Sequence, residues 1–289
     1  MWQLRDQVGL GWRPALAAGI LANLDKIDLV EVIADDFFAA PRTERRALRT
    51  LAAQTQVTLH GVSLGMASAV PVATKRLENM ARLCEAVEPV SWSEHLAFVR
   101  GGGIEIGHLA APPRTSETID GTIANLERAR KIVGFAPQVE NVATLIEPPG
   151  SDRDEASWVS EIIAGAGNDL LLDLHNLHAN ATNFHFDPLD FIEQLPADRI
   201  AAIHLAGGKW IGADGARRLL DDHLHDVPHS VFDLLIEVGV RATRPLTVIL
   251  ERDGHFPAIE CLLDQLEQAR AALATGRARQ TVARAEVAA

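Results

Sequence analysis

Six short apolar runs along this chain each end on a histidine, an aspartate or a glutamate. They are Thr58-Leu59-His60, Trp92-Ser93-Glu94-His95, Gln138-Val139-Glu140-Asn141, Leu170-Leu171-Leu172-Asp173, Ala202-Ile203-His204 and Ile249-Leu250-Glu251-Arg252-Asp253. A parallel strand buried on both faces reads as a continuous apolar run, so a polar residue at its exit needs a reason. The densest exit follows Leu172, where Asp173, His175, Asn176 and His178 fall within six residues. Chance does not readily repeat this pattern six times. It points to one polar site shared at one end of a parallel sheet.

The rest of the chain alternates in the same sense. Strand candidates are 7–12, 28–34, 56–62, 89–96, 136–141, 169–174, 200–206 and 245–251. Helix-like segments are 14–24, 42–54, 72–87, 116–133, 154–165, 187–195, 228–240 and 257–274. Pro71, Pro188 and Pro228 stand near three helix starts, where a fixed φ and a missing N–H cost little. Eight strands alternating with eight helices predict an α/β fold, a single (β/α)8 TIM barrel over 1–274. A doubly wound sheet is the alternative, but no glycine-rich dinucleotide turn follows an early strand. The last stretch, 275–289, is expected to be a polar, alanine-rich and flexible tail, either frayed helix or disordered.

Composition narrows the function. A formal charge of −12 argues against nucleic-acid binding, which needs clustered Lys and Arg. Residues 50–74 carry no Lys, Arg, Asp or Glu, but Gln54, Gln56, His60, Ser63, Gly65 and Pro71 interrupt them, so no membrane span is expected. Met1–Asp6 lacks the layout of a signal peptide. Cys84 and Cys261 fit buried structural thiols of a reducing, cytoplasmic setting. The oligomeric state is open.

In such barrels the active site lies at the C-terminal strand ends. Candidate ligands are then His60, Glu94, His95, Glu140, Asn141, Asp173, Asn176, His204, Glu251 and Asp253. Asp221 and His223, two residues apart, are expected on one side of an extended segment and able to share a cation. Pooled carboxylates raise each other's pKa values, and a multivalent cation removes that penalty. Mixed imidazole and carboxylate donors suit Zn, Mn or Fe. The donors outnumber the needs of one ion, so two or three ions are expected, with a central carboxylate bridging a pair. Glu94 and His95 cannot both point one way, and His95 is the expected ligand. Glu94, standing behind it, and Asp253 are the candidate catalytic residues. Asp253 has a plainer alternative, holding Arg252 or a loop backbone. His108, His185, His229 and His255 are expected to be structural.

At these residues the chain resembles the multinuclear non-haem iron-dependent oxidative enzymes (MNIO), the group of the methanobactin-maturation oxidase. That group lies within the xylose-isomerase-like and endonuclease-IV-like metal barrels. The matching stretches are Gly9-Leu10-Gly11-Trp12-Arg13, His60-Gly61-Val62-Ser63-Leu64, Ser93-Glu94-His95-Leu96, Glu140-Asn141-Val142, Leu172-Asp173-Leu174-His175-Asn176, Ile203-His204-Leu205-Ala206-Gly207, Asp221-Asp222-His223 and Glu251-Arg252-Asp253. The resemblance implies that His60, His95 and Glu140 hold one iron. Glu140 would bridge to a second held by Asp173, His204 and Glu251, and Asn176, Asp221 and His223 would hold a third. Three positions depart from the family pattern: Leu16 and Gly208 where His is frequent, and His175 where Asn is common.

The resemblance further implies a dioxygen-dependent oxidation of a residue, a Cys, in a ribosomally made peptide. A thiolate would bind one iron beside a second that activates oxygen, and a separate protein often presents the peptide. Three alternatives compete. A zinc hydrolase of the endonuclease-IV type, acting on phosphodiesters, is disfavoured by the net charge of −12 and by the lack of a Lys/Arg cluster near the strand ends. A xylose-isomerase-like zinc or manganese isomerase needs a lysine, for which Lys209 is the nearby candidate. A non-catalytic metal-binding protein is disfavoured because structural sites are usually closed and mononuclear.

Overall fold

The computed structural model describes residues 5–213 and 216–288. The first four residues of the expected domain and signal-peptide test, and Ala289 of the expected tail, lie outside the described residues.

Eight parallel strands close into a barrel. They are β1 (Gln7–Gly11), β2 (Leu29–Ile33), β3 (Gln56–Gly61), β4 (Ser91–His95), β5 (Gln138–Glu140), β6 (Asp169–Asp173), β7 (Ile200–Leu205) and β8 (Thr247–Leu250). Each falls inside its expected range. Sequence neighbours pair in space, and β8 closes on β1 with Gln7 opposite Thr247. The apolar runs are buried on both faces as their composition requires: Leu170, Leu171 and Leu172 are all at most 1 % exposed. Helices follow the strands and cover the barrel, as in Ser116–Val133, Glu155–Ala166 and His229–Arg241. Local signals set their starts. Thr115 and Thr118 form a reciprocal capping box, and Asp154 caps through the Ser157 N–H.

Four elements escaped the sequence pattern, and all stand after C-terminal strand ends, the first being the short helix Asp35–Phe38 after β2. Phe98–Gly101 and Ile104–Ala110 form a hairpin after β4, Leu174–Phe184 is a helix directly after β6, and Gly208–Ile211 with Arg218–Asp221 form a hairpin after β7. The extended segment expected to carry both Asp221 and His223 is therefore corrected. The strand stops at Asp221, and His223 sits in a turn at φ 55°.

Beyond residue 274 the described chain continues as helix, and in that last helix Cys261 is exposed, against the expected burial that Cys84 does show. The last helix runs from Ile259 to Ala288. Arg277 donates to the Asp6 carboxylate at 2.9 and 3.0 Å and to the Ala242 and Arg244 carbonyls, while Gln280 caps Val240 and Ala242. These bonds satisfy carbonyls at the end of the preceding helix, which otherwise lack partners. A Cβ on Gly276 would lie 2.3 Å from the Ile236 carbonyl oxygen, so glycine lets the two helices touch at their backbones. Among the described residues, no helix is long and apolar enough to cross a membrane.

Candidate metal centre

The strand exits bring their polar residues to the C-terminal end of the barrel. His60, Glu140, Asp173, His204 and Glu251 are at most 4 % exposed, and His95 is 7 % exposed. Each of the three imidazoles commits one ring nitrogen to the protein frame. His60 Nδ1 lies 2.7 Å from Ser93 Oγ, and His95 Nδ1 lies 3.2 Å from the Gly61 carbonyl. His204 Nε2 lies 3.0 and 3.1 Å from the two Glu31 oxygens.

The opposite nitrogens converge on Glu140. His60 Nε2 and His95 Nε2 lie 3.3 and 3.4 Å from its Oε2. His204 Nδ1 lies 3.1 Å from its Oε1 and 3.1 Å from Glu251 Oε2. The two Glu140 oxygens therefore face different groups of donors. Three sets of donor atoms are close enough to hold an ion: His60, His95 and Glu140; Glu140, Asp173, His204 and Glu251; and His60, His204 and Glu251.

The donor set fits a divalent or trivalent transition metal. Buried Glu140 Oε2, Asp173 Oδ2 and Asn176 Oδ1 have no hydrogen-bond partner in the protein, and such atoms are costly unless something satisfies them. Asp173 is held well above the usual carboxylate range by burial and by the charges of Asp221 and Glu140. Burial opposes charge on His95, but Glu140 and Glu94 outweigh it and push its pKa up to about 9. For Glu251 burial acts upward and His204 and His223 pull it well below the usual range. A cation would compensate all these carboxylates together.

Backbone contacts aim several donors. Asp173 ends β6 and caps the following helix: its Oδ1 accepts from the Asn176 N–H at 2.7 Å, leaving Oδ2 free. Asn141 was a candidate ligand. Instead its amide bonds both the N–H and the carbonyl of Asp173, at 2.9 and 3.0 Å, locking β5 to β6. Asn176 stands in the helix rather than at a strand end and donates to the Asn141 carbonyl at 3.0 Å.

Glu94 is behind His95, with its oxygens accepting from the Leu64 and His95 N–H groups at 3.2 and 3.1 Å. Asp253 bridges Arg13, at 2.5 and 2.8 Å, and His223 Nδ1, at 3.1 Å. Its expected alternative partner, Arg252, pairs with Asp226 at 3.1 Å. Asp221 and His223 meet at 2.8 Å through Oδ2 and Nε2, and the paired imidazoles draw the Asp221 pKa down to about 2 against burial. His185, His229 and His255 are exposed and join no ligand group. His108 lines the cavity above the centre.

The departures have structural counterparts. Leu16 is buried in the apolar core. His175 is fully buried with Nδ1 2.5 Å from Asp221 Oδ1. A Cβ on Gly208 would lie 2.6 Å from the His175 ring, so the two departures compete for one space. Sequence reasoning missed Glu31, 1 % exposed and against His204. Its signal was present: a single acid inside the apolar run Leu29-Val30-Glu31-Val32-Ile33.

A cavity of about 600 Å³ opens over His95, Glu140, Asn176 and Asp221. Its walls include Phe98 and Leu109 of the first hairpin and Val142, Leu145, Ile146 and Pro148 of the loop after β5. The family model of the RiPP precursor modification enzymes MbnB/TglH/ChrH, which act on ribosomally made peptides, matches residues 7–274. The chain belongs to this family. UPF0276 proteins are also similar. One from Streptomyces avermitilis is 37 % identical over 256 residues, covering 86 % of this chain and 51 % of that relative, so the chain spans about half its length. One from Caulobacter vibrioides is 31 % identical over 273 residues, covering 94 % and 96 %. Among solved structures, Clostridium cellulolyticum D-psicose 3-epimerase matches with a TM-score of 0.58 at 11 % identity, covering 95 % of this chain and 99 % of that one. A xylose isomerase domain protein from Planctomyces limnophilus matches with a TM-score of 0.52 at 16 % identity, covering 93 % and 95 %. The chain thus has a xylose-isomerase-like TIM barrel.

Proposed function

We propose that this RiPP-family protein is a multinuclear non-haem iron oxidase that uses dioxygen to modify a peptide residue, a Cys, with a separate protein presenting the peptide. The observation that carries the reading is Glu140, whose two oxygens face two different sets of buried donors. His60, His95 and Glu140 would hold one iron; Glu140, Asp173, His204 and Glu251 a second; Asn176, Asp221 and His223 a third. Bound iron would supply redox chemistry and neutralise and orient a substrate thiolate.

The chain's own residues do the rest. Ser93 and the Gly61 carbonyl orient the His60 and His95 imidazoles. The apolar cavity walls admit a peptide side chain while limiting water. Asp253 holds His223 at the rim and is itself anchored by Arg13. Glu94 steadies the backbone of His95 from behind and acts through it. A lysine-dependent isomerase is less well supported, because Lys209 is about half exposed and pairs with Asp222 at 3.3 Å. Elemental analysis with Mössbauer spectroscopy on anaerobically prepared protein tests the reading. Two or three irons per chain are expected; stoichiometric zinc in protein isolated without added metal would contradict it.

A further inference from the structure

We propose that Glu31 is a positioning residue of the metal centre: its buried carboxylate fixes the His204 ring and raises its donor strength. The proposal rests on the reading of the strand exits as metal ligands. Glu31 lies mid-strand in β2, and 173 positions separate it from His204, so the contact crosses the barrel interior. Glu31 is 1 % and His204 0 % exposed. Both Glu31 oxygens approach one ring nitrogen, Nε2, at 3.0 and 3.1 Å. Among the described residues, the hydrogen bond to this carboxylate comes from His204 alone, and Glu31 joins none of the groups able to hold an ion.

A buried carboxylate with a single hydrogen-bonding partner is expensive. The arrangement is reasonable when the partner is a ligand. With its proton on Nε2, facing Glu31, the imidazole turns the Nδ1 lone pair towards Glu140 and Glu251, 3.1 Å away on the other side. A carboxylate behind a metal-binding histidine sets the tautomer and ring orientation and makes the nitrogen a better donor. His60 and His95 have weaker devices in the same place, a serine hydroxyl and a backbone carbonyl. Glu31 therefore distinguishes the ion at His204 from the ion at His60 and His95.

Co2+ binding to metal-stripped protein, followed by its visible absorption and by chelator competition, reads this directly. Glu31→Gln keeps size and a hydrogen-bond acceptor but loses the charge; Glu31→Ala loses both. The expected result is unchanged Co2+ stoichiometry at saturation, a shifted absorption band, and weakening of one ion only. Outer contacts of this kind cost about 10–100-fold in affinity, with Glu31→Gln at the lower end and Glu31→Ala at the upper. Thermal melting of the metal-free variants checks folding, and Glu31→Gln carries the test if Glu31→Ala does not fold. Wild-type affinity and spectrum in folded Glu31→Gln would overturn the proposal. Loss of a whole ion at saturation in that variant would also overturn it, making Glu31 a ligand. Wild-type protein that takes up no Co2+ would instead remove the metal-centre reading, and the proposal with it.

Discussion

The deep and the outer parts of the centre are built differently. Around Glu140, each histidine spends one nitrogen on the frame and leaves the other facing a carboxylate, and Glu140 Oε2 and Asp173 Oδ2 have no hydrogen-bond partner among the described residues. At the rim Asp221 and His223 satisfy one another, although Asn176 Oδ1 has no hydrogen-bond partner among the described residues. His223 uses Nε2 on Asp221 and Nδ1 on Asp253, and Asp221 gives its second oxygen to His175. On the proposed reading the deep donors can take ions nearly as they stand, whereas an ion at the rim must replace existing hydrogen bonds. The outer ion should be the most weakly held.

The strongest attack on that contrast is Glu140→Gln, which keeps the size and removes the charge shared by two sites. It should lower bound metal by more than one ion per chain and abolish turnover, as read by elemental analysis and peptide mass. Asp221→Asn or His223→Ala should have a smaller effect, vacating the rim and leaving the deep ions in place. If either strips all metal, the distinction between deep and outer sites fails.

The deep half was also the legible half. His60, His95, Glu140, Asp173, His204 and Glu251 end apolar runs, and period and polarity mark such positions without tertiary information. The rim was read less well because its residues sit on irregular backbone. His223 reaches Asp221 through a left-handed turn, and Asn176 is placed by a helix that starts on Asp173. Nothing local announces that Asn141 will pair with the Asp173 backbone, or that Asp253 will find Arg13 from the far end of the chain. Glu31 was hidden for the opposite reason: it lies inside a strand rather than at an exit. The continuation of the final helix past residue 274 depends on Arg277 meeting Asp6, a contact with no local signal.

Glu94→Gln should sharpen the contrast from behind. It should keep most metal, because the carboxylate holds backbone N–H groups rather than an ion, and reduce activity about 10–100-fold. Loss of metal comparable to Glu140→Gln would place Glu94 on an ion instead.

The smallest expected effect is in pH dependence. In metal-free protein the His95 pKa is raised from 6.5 to about 9, so protonation contributes stability that is fully present below about pH 6.5. That contribution is lost as pH rises through about 9. The Tm of metal-free protein should therefore fall across this window. Metal-loaded protein should not follow, because ligation needs the unprotonated ring and affinity rises with pH. Parallel Tm profiles with and without metal would count against His95 as a ligand.

The most direct test is anomalous diffraction at the iron edge from crystals of anaerobically iron-loaded protein. The account predicts two strong peaks flanking the Glu140 carboxylate, one beside His60 and His95 and the other beside Asp173, His204 and Glu251. A weaker third peak is expected near Asn176, Asp221 and His223. A single peak, or peaks that leave Glu140 bound to at most one ion, would contradict it.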